Sequence, residues 1–312
     1  MLDHLRNSPN ARDAIVTEVE LPQTVNYHYT AACEMGCEHC FAVFADCTAK
    51  RLEARKEVIR AIAGAAPASG KTGPRRLNFV GGEPTLHPHF EALVECALES
   101  GLSVSVVTNG YSLVKKGMSA AMRAMSLVGI SVDSLHAETN RRIGRSVNGE
   151  TISQAQWRVV FEQLEEAGIP LKINTTVTRH NLHENLGDFI RMADPIRWKV
   201  FQAMPVDGQN DKGRERWLVT RQEYDQFIQR HAEVGAIADA EPESMMRGSY
   251  AMIAPDGRFF DSATGQHRYS DPITAVGVSA AWRQIHFDPK LFNERTKHYH
   301  DSLGEIYRIS AA

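Results

Sequence analysis

The sequence has few of the features that mark membrane, secreted or nucleic-acid-binding proteins. No apolar run reaches the roughly 18–20 residues that a membrane-spanning helix requires, and the first 21 residues have no apolar signal-peptide core. The formal net charge of -3 gives no positive field that would attract a nucleic-acid duplex or an anionic membrane. We therefore expect a cytoplasmic protein that binds neither nucleic acid nor membrane.

Cysteine is also scarce, with 5 in 312 residues, which makes a poor disulfide framework. Three of the five, Cys33, Cys37 and Cys40, are nevertheless clustered in one short segment, whereas Cys47 and Cys96 have no motif around them. Thiols stay reduced in the cytosol and are good ligands for metals and iron–sulfur clusters. The clustering therefore predicts a metal or cluster site.

The order of predicted elements indicates the fold class. β-Branched and aromatic runs alternate with helical periodicity, which is typical of βαβ units and a parallel sheet. About six such units fit before residue 205, fewer than the eight of a full barrel. We predict an α/β fold, a partial (βα)6 TIM-type barrel over residues 22–204, with a mobile arm before it (1–21) and a C-terminal extension after it that closes over the substrate (205–312).

The cysteine motif directly follows the first predicted strand, at the sheet edge where α/β barrels carry their chemistry. A cubane held by three thiolates leaves one iron open to another ligand, much as a catalytic zinc site keeps an open position. The alternative is a structural zinc site, in which His28 or His39 supplies the fourth ligand. The α/β context favours the cluster.

A second motif, Gly-Gly-Glu-Pro over residues 81–84, ends the second predicted strand. Glycines let a backbone approach a ligand closely, and a carboxylate there can hold an ammonium group. Together the two motifs resemble the radical S-adenosylmethionine (SAM) superfamily. The resemblance implies a [4Fe–4S] cluster on Cys33, Cys37 and Cys40 whose open iron binds SAM. One electron then splits SAM into methionine and a 5′-deoxyadenosyl radical.

The same resemblance implies further cofactor contacts at the ends of successive strands. It assigns the methionine amino group to the Gly-Gly-Glu turn, and the ribose and carboxylate to later strand ends. The alternative for each later residue is a plain turn or helix cap. The implied SAM-binding residues are Gly81, Gly82, Glu83, Asn109, Ser131 and Arg145.

Five segments narrow the resemblance, because residues 25–30, 77–84, 171–174, 197–202 and 249–250 are similar to those of the viperin family. The resemblance implies a nucleoside triphosphate substrate, CTP or UTP by family habit. Abstraction of the ribose 4′-hydrogen and loss of the 3′-hydroxyl as water would give a 3′-deoxy-3′,4′-didehydro nucleotide for antiviral (anti-phage) defence. It also implies a flavodoxin- or ferredoxin-like electron donor, and we expect a monomer.

Polar residues within the predicted strands permit a nucleotide substrate independently. Strand alternation puts Lys172 and Asn174 on one face, and Arg197 and Lys199 on one face, where they could converge on a triphosphate. Strand-interior cations are costly unless paired, so salt bridges to acidic residues are the alternative. The first strand adds Asn26 and His28 as ribose or triphosphate contacts. Tyr250 is a candidate radical relay or hydrogen donor, and a packed aromatic without a catalytic role is the alternative.

The sequence also departs from animal viperins. Their N-terminal amphipathic helix is missing, Val80 replaces a serine, and residues 261–268 lack a Cys- and Lys-rich stretch. His267 and Arg268 are the candidates to replace that stretch at the phosphates. These departures leave the base preference open. A different single-cluster radical SAM enzyme acting on another nucleotide or small molecule is the alternative function, and a zinc-stabilised binding protein without catalysis is a third. The lack of cysteine beyond Cys96 counts against two-cluster enzymes.

Overall fold

The computed structural model describes residues 21–45, 47–48, 50–65 and 75–297. The arm predicted for residues 1–21 lies outside this part of the chain, apart from its last residue. Within the described ranges, no helix is both long and apolar enough to cross a bilayer.

The strands form one sheet in the order β10-β9-β8-β1-β2-β3-β4-β5-β6-β7. The strands β1 to β8 are parallel to one another, while β9 pairs antiparallel with both β8 and β10 at one edge. Their bounds are β1 Thr24–Thr30, β2 Arg76–Gly81, β3 Ser103–Thr108, β4 Leu127–Ser131, β5 Leu171–Val177, β6 Arg197–Gln202, β7 Ala238–Glu241, β8 Met252–Ile253, β9 Arg258–Asp261 and β10 Arg268–Pro272.

Helices follow most of the parallel strands and cover the outer face of the sheet. Short 3₁₀ segments lie at Pro84–Leu86 and Ala232–Ile237. The helices are α1 Leu52–Ala63, α2 Phe90–Glu99, α3 Tyr111–Lys116, α4 Ala120–Arg123, α5 Ala137–Ile143, α6 Gln154–Glu166, α7 Gly187–Ala193, α8 Arg214–Trp217, α9 Arg221–Arg230, α10 Glu243–Met246, α11 Ile273–Val276, α12 Val278–Trp282 and α13 Pro289–Thr296.

The two faces of the sheet differ in chemistry because side chains alternate along each strand. On β1, Val25, Tyr27 and Tyr29 are fully buried in the core between sheet and helices. The intervening residues Asn26 and His28 point to the opposite, inner face. Apolar packing outside and polar side chains inside are typical of a barrel whose interior holds a polar ligand.

The six strands predicted before residue 205 are confirmed, and so is the α/β class with a mostly parallel sheet, which is not closed. The strand β7 was missed, since its sequence Ala-Asp-Ala-Glu has no β-branched or aromatic residue. Before β7, the helix α9 ends at Arg230 and a 3₁₀ segment follows.

The sheet and the core both cross the predicted boundary at residues 204 and 205. The strand β7 extends the sheet beyond β6, and β8 pairs in parallel with β1 at the other side. One apolar cluster runs from Leu21 to Trp282. The predicted division into barrel and extension stays a prediction.

Candidate active site

The cysteine loop leaves the end of β1 and is anchored by backbone hydrogen bonds to neighbouring loops. Gly36 N donates to Gly144 O at 3.0 Å, and Glu38 N donates to Ile143 O at 2.9 Å. From the other side, the buried Asn210 amide donates to His39 O at 3.0 Å. These contacts fix the loop between the end of α5 and the segment after β6.

The Gly-Gly turn after β2 lies against the same loop with no room for side chains. A Cβ atom on Gly81 would lie 2.2 Å from Thr30 O, and one on Gly82 would lie 2.1 Å from Ala32 O. Gly144 is equally tight, because its Cβ would lie 2.1 Å from Gly36 O. Glycine therefore permits the direct backbone contact that brings the two motifs together.

Burial disfavours the ionised form of the three clustered thiols. It raises the pKa of Cys33 to about 11 and that of Cys37 to about 12, and it also raises the pKa of Cys40. The positive charge of Arg145 opposes this rise at Cys37 and Cys40. Thiols of this kind stay protonated until a metal replaces the proton. Three such donors in one loop fit a cubane that leaves one iron to a non-protein ligand.

Glu83 connects the ends of two neighbouring strands at the site. Its buried carboxylate accepts hydrogen bonds from Thr85 Oγ1 at 2.7 Å, Thr108 Oγ1 at 2.6 Å and Asn109 N at 2.7 Å. Burial raises the pKa of Glu83, and these hydrogen bonds oppose the rise. The side chain therefore ties the ends of β2 and β3 together. Binding of an ammonium group by the Gly-Gly-Glu turn stays a prediction.

Asn109 and Arg145 border a small pocket beside the cysteine loop, which Met35, Asn140 and Trp157 also line. The Asn109 side-chain amide lies 3.9 Å from Cys33 Sγ. Ser131, the third residue assigned to SAM beyond the turn, ends β4 and pairs in register with Asn174. The pocket therefore contains two of the three strand-end residues that the sequence indicates for SAM.

Arg145 is held by a carboxylate that the sequence argument did not assign. Arg145 Nε donates to Asp133 Oδ2 at 2.6 Å, and Asp133 Oδ1 accepts from Thr176 N at 2.8 Å. The buried His39 ring lies 3.7 Å from the same carboxylate, and burial lowers the pKa of His39 to about 4. Asp133 thus fixes the guanidinium near Cys37.

The inner face of the sheet carries the predicted substrate residues close together. Lys172 pairs in register with Arg197, and Asn174 pairs with Lys199. Gly129 on β4 leaves space for the lysine, since a Cβ there would lie 2.8 Å from Lys172 Cε. The structure therefore brings these four side chains onto one surface.

Two of the three cations have acidic partners, as the salt-bridge alternative anticipated. Arg197 Nε lies 2.9 Å from Asp239 Oδ2, and Lys199 is ion-paired with Glu241. Both carboxylates belong to β7, the strand that sequence reasoning missed. Their signal was the acidic residue at every second position of residues 238–241, which matches the period of a strand.

Three polar groups on the inner face have no partner within the described part of the chain. Lys172 makes no hydrogen bond or ion pair there, and its pKa is well below its usual value because of burial and the nearby cations Lys199, Arg76 and Arg197. Asn174 Oδ1 and His28 Nδ1 are buried without hydrogen bonds. Buried polar groups are normally satisfied, so these atoms indicate a ligand-binding surface.

The inner face of β1 to β3 continues this polar surface. Asn78 donates to Asn26 Oδ1 at 2.7 Å and accepts from Ser105 Oγ at 2.8 Å. Sequence reasoning assigned Asn26 but missed Asn78 and the buried Arg76, which precedes it by two residues on the same face. Asn78 pairs in register with the assigned Asn26, so the register between β1 and β2 would have found it.

Tyr250 joins the inner face through Glu241. Its hydroxyl donates to Glu241 Oε2, and Lys199 Nζ lies 3.4 Å from the same hydroxyl. Arg295 of α13 stacks on the tyrosine ring, with its guanidinium carbon 3.7 Å from the ring centroid. Sequence reasoning also missed Arg295, because nothing local relates it to residue 250.

The zinc alternative required His28 or His39 as a fourth ligand. The His28 ring instead packs against Phe41, Phe44 and Phe260 with centroid distances of 5.3–6.1 Å, and burial lowers its pKa to about 3. In the described ranges, no three His, Cys, Asp or Glu side chains are grouped around a position for a single metal ion. His267, one of the two candidate phosphate contacts, packs against Phe44 and Phe260.

Comparison with known proteins defines the class first. Residues 27–193 match the family model of the radical SAM superfamily. The fold is that of a solved structure described as native anSMEcpe with bound AdoMet, with a TM-score of 0.61 and 15% identity, covering 87% of this chain and 82% of that one. The chain is a radical SAM enzyme, and its cofactors are a [4Fe–4S] cluster and SAM.

Sequence relatives then give the family. An S-adenosylmethionine-dependent nucleotide dehydratase of Flammeovirga pacifica is 34% identical, covering 87% of this chain and 93% of that protein. One of Lacinutrix mariniflava is 35% identical over 87% of this chain, which spans only 57% of that relative's length. A relative from Siniperca chuatsi named S-adenosylmethionine-dependent nucleotide dehydratase RSAD2 is 30% identical over 89% of this chain. The chain belongs to the viperin family that these proteins form.

Proposed function

We propose that this enzyme dehydrates a ribonucleoside triphosphate, CTP or UTP, to its 3′-deoxy-3′,4′-didehydro analogue. The observation that supports this most is Lys172, a buried inner-face lysine that makes no ion pair or hydrogen bond in the described part of the chain. A polyanionic substrate would supply a negative charge to pair with Lys172. Two of the relatives are named S-adenosylmethionine-dependent nucleotide dehydratases, and a nucleotide is such a substrate.

Each group of residues has a distinct task in this proposal. Cys33, Cys37 and Cys40 hold the cluster, while Gly81, Gly82, Glu83, Asn109, Ser131 and Arg145 surround SAM. When bound, these cofactors supply the radical that removes hydrogen from the ribose. The protein itself binds and orients the nucleotide. The triphosphate is bound by Lys172, Asn174, Arg197 and Lys199, and Asn26 and His28 lie nearer the ribose.

One observation favours the alternative of a less charged substrate. Asp239 and Glu241 already neutralise Arg197 and Lys199. A triphosphate must therefore compete with two buried carboxylates, and a smaller substrate of another radical SAM reaction would need only Lys172. The substrate assay below separates the two.

The test supplies the reconstituted, reduced enzyme with SAM and each of the four ribonucleoside triphosphates, deuterated at C4′. We expect deuterium to appear in 5′-deoxyadenosine with at least one nucleotide, and a product lighter by one water. The matched control is Cys40→Ala, which should give neither. Absence of deuterium transfer with all four nucleotides would exclude the proposed reaction.

The biological setting is part of the same proposal. We infer that the enzyme is cytoplasmic and monomeric, acts in antiviral (anti-phage) defence, and receives electrons from a flavodoxin- or ferredoxin-like donor. Cells that express the wild-type chain should yield fewer phage than cells that express Cys40→Ala. Equal phage yields would contradict the defensive role but not the proposed reaction.

A further inference from the structure

A buried arginine lies on the helix-covered side of the sheet, behind the Gly-Gly-Glu-Pro turn. Arg55 of α1 is 2% exposed, and its Nη1 lies 2.9 Å from His87 Nε2 and 3.4 Å from His89 Nδ1. Its guanidinium carbon is 5.6 Å from the centroid of the Tyr29 ring. Among the residues that the structure describes, no acidic side chain is paired with Arg55, and its Nε is buried without a hydrogen bond. The contacts of this charge are therefore two histidines and a tyrosine.

Two of these contacts lead to one backbone atom, the carbonyl oxygen of Pro84. The Tyr29 hydroxyl donates to Pro84 O from β1. The 3₁₀ turn Pro84–Leu86 ends at His87, whose backbone N donates to Pro84 O at 3.2 Å. Arg55 thus contacts both of the residues that hydrogen-bond to this carbonyl.

The Pro84 carbonyl is close in the chain to the carboxylate that faces the active site. Glu83 Oε1 accepts from Thr85 N at 3.1 Å and from Thr108 Oγ1 at 2.6 Å, so the turn is also held on its inner side. Proline fixes its own φ, so a shift of the Pro84 carbonyl reaches Glu83 through a backbone with little freedom. The contacts on the two sides of the sheet therefore act on the same short turn.

The contact between Arg55 and His87 requires a neutral imidazole, because a cationic imidazole has no acceptor. Burial, assisted by the charge of Arg55 and by His89, lowers the pKa of His87 to about 4, so the ring is neutral near pH 7. Burial also lowers the pKa of Arg55, but a guanidinium stays charged in proteins. Its planar shape lets it bond to the histidine while it stacks near the tyrosine, which a lysine ammonium does not reproduce.

We propose that Arg55 is a positioning residue for SAM, which acts through Tyr29 and His87 on the Pro84 carbonyl and so sets the orientation of the Gly-Gly-Glu turn. This inference rests on the proposed contact of that turn with the ammonium group of SAM, and it is independent of the nucleotide substrate. Arg55 itself touches neither cofactor nor substrate in this arrangement. Its loss should therefore weaken the binding of SAM and leave the rate of SAM cleavage at saturation unchanged.

The test is Arg55→Met, which keeps the length of the side chain and removes its charge. We expect the dissociation constant of SAM, measured by equilibrium dialysis with the reconstituted enzyme, to rise about 3- to 10-fold, the scale of one hydrogen bond. The rate of reductive SAM cleavage at saturating SAM should stay within about twofold of the wild type, and so should the iron content per chain. A fall in iron content that parallels the loss of affinity would show a merely structural role and would overturn the proposal.

The matched control is Arg75→Met, which removes a second buried arginine from the same side of the sheet. Arg75 Nη1 donates to Ile62 O of α1 at 3.0 Å, but Arg75 precedes β2, at the end of the strand opposite to the Gly-Gly turn. Its loss should leave the dissociation constant of SAM within about twofold of the wild type. An equal loss of SAM affinity in both variants would show a general effect of buried charge and would contradict the specific role of Arg55.

A double-mutant cycle tests the route through the tyrosine. Tyr29→Phe removes only the hydroxyl that donates to Pro84 O. If Arg55 acts through this hydrogen bond, Arg55→Met combined with Tyr29→Phe should bind SAM about as weakly as the weaker of the two single variants. Effects on the dissociation constant that simply multiply would overturn the proposed route.

Glu83→Gln tests the SAM contact on which the inference rests. We expect it to weaken SAM binding by about tenfold or more, because hydrogen bonds to a charged group are lost. Unchanged SAM binding in this variant would refute the contact of the turn with SAM, and the inference with it. Unchanged binding in Arg55→Met alone would overturn only the role of Arg55.

Hydrogen exchange in the wild type gives an answer even if Arg55→Met fails to fold. The amides of Leu86 and His87 donate to Glu83 O at 3.4 Å and to Pro84 O at 3.2 Å, in a turn where the Leu86 side chain is exposed. In the reconstituted enzyme without SAM, we expect both amides to exchange about as slowly as those of β3, because the turn is held from both sides. Rapid exchange of both amides would show that the turn is not held, and would also overturn the proposal.

Discussion

At the scale of single residues, the basic side chains of the inner face differ in whether they have an acidic partner. Arg197 and Lys199 are each paired with a β7 carboxylate, whereas Lys172 makes no ion pair within the described ranges. The nearby cations Lys199, Arg76 and Arg197, together with burial, outweigh the attraction of Glu241 and lower the pKa of Lys172. An unpaired buried cation costs free energy and shifts towards its neutral form. We therefore expect Lys172 to be charged and paired when an anionic substrate binds.

Replacing Lys172 separates stability from binding. We expect Lys172→Met to raise the free energy of unfolding of the ligand-free protein by about 1 kcal/mol or more, because an apolar side chain replaces a buried charge. Affinity for the triphosphate should fall by about 10- to 100-fold, the value of a hydrogen bond to a charged group. Urea unfolding and equilibrium dialysis with CTP and UTP measure the two effects.

The exposed Lys116→Met is the control, for which neither quantity should change. The wild type should also show a pH effect of defined sign. Since the folded pKa of Lys172 lies below its unfolded value of about 10.4, the unfolded state binds more protons between the two. Stability from this group therefore rises with pH through that window, while triphosphate affinity falls. Unchanged affinity in Lys172→Met would show that the phosphates bind elsewhere.

At the scale of elements, the active site depends on strand ends and loops that meet backbone to backbone. The Gly-Gly turn after β2 contacts the start of the cysteine loop, and Gly144 after α5 contacts its middle. Glu83 then ties β2 to β3 by hydrogen bonds to Thr108 and Asn109. The loop geometry is therefore set by its neighbours more than by the loop itself.

A single methyl group should disturb this contact. Gly82→Ala places a Cβ 2.1 Å from Ala32 O, a backbone atom that cannot move alone. We expect a loss of about 1–3 kcal/mol in the free energy of unfolding, the usual cost of overpacking, and less iron bound per chain after reconstitution. Gly235→Ala, where a Cβ meets nothing within 4 Å, should keep full iron content. Full iron content in Gly82→Ala would contradict the contact.

At the scale of the whole molecule, the chain segments before and after residue 205 share one sheet and one core. The strands β7 and β8 extend the two sides of the set β1 to β6, and Trp282 belongs to the same apolar cluster as Leu21. Units that share a sheet lose hydrogen bonds and apolar burial together when either opens. Cooperative unfolding across the predicted boundary follows.

Native-state hydrogen exchange checks this expectation. The slowest amides of β3 and β9 should exchange with the same free energy and the same dependence on urea, because both open only by global unfolding. Amides of the exposed segment around Gly149 serve as the reference for local opening. A separately exchanging β9 would show that the extension is an independent unit.

The sequence by itself determined the chemistry that lies within short segments. The spacing of Cys33, Cys37 and Cys40, the Gly-Gly-Glu-Pro turn and the alternation in six strands are local patterns, and they gave the class of cofactor and the parallel sheet. Strand alternation also put Lys172 with Asn174 and Arg197 with Lys199 on shared faces, which the register confirms.

Only the tertiary structure decided which groups meet across the sheet. Asp239, Glu241 and Arg295 are far along the chain from the residues they contact, and β7 has no apolar periodicity by which to recognise it. Pairing between strands depends on register and burial, which no local segment encodes. Consequently the sequence could specify the cations of the inner face, but which of them are neutralised and which remains free depends on the folded sheet.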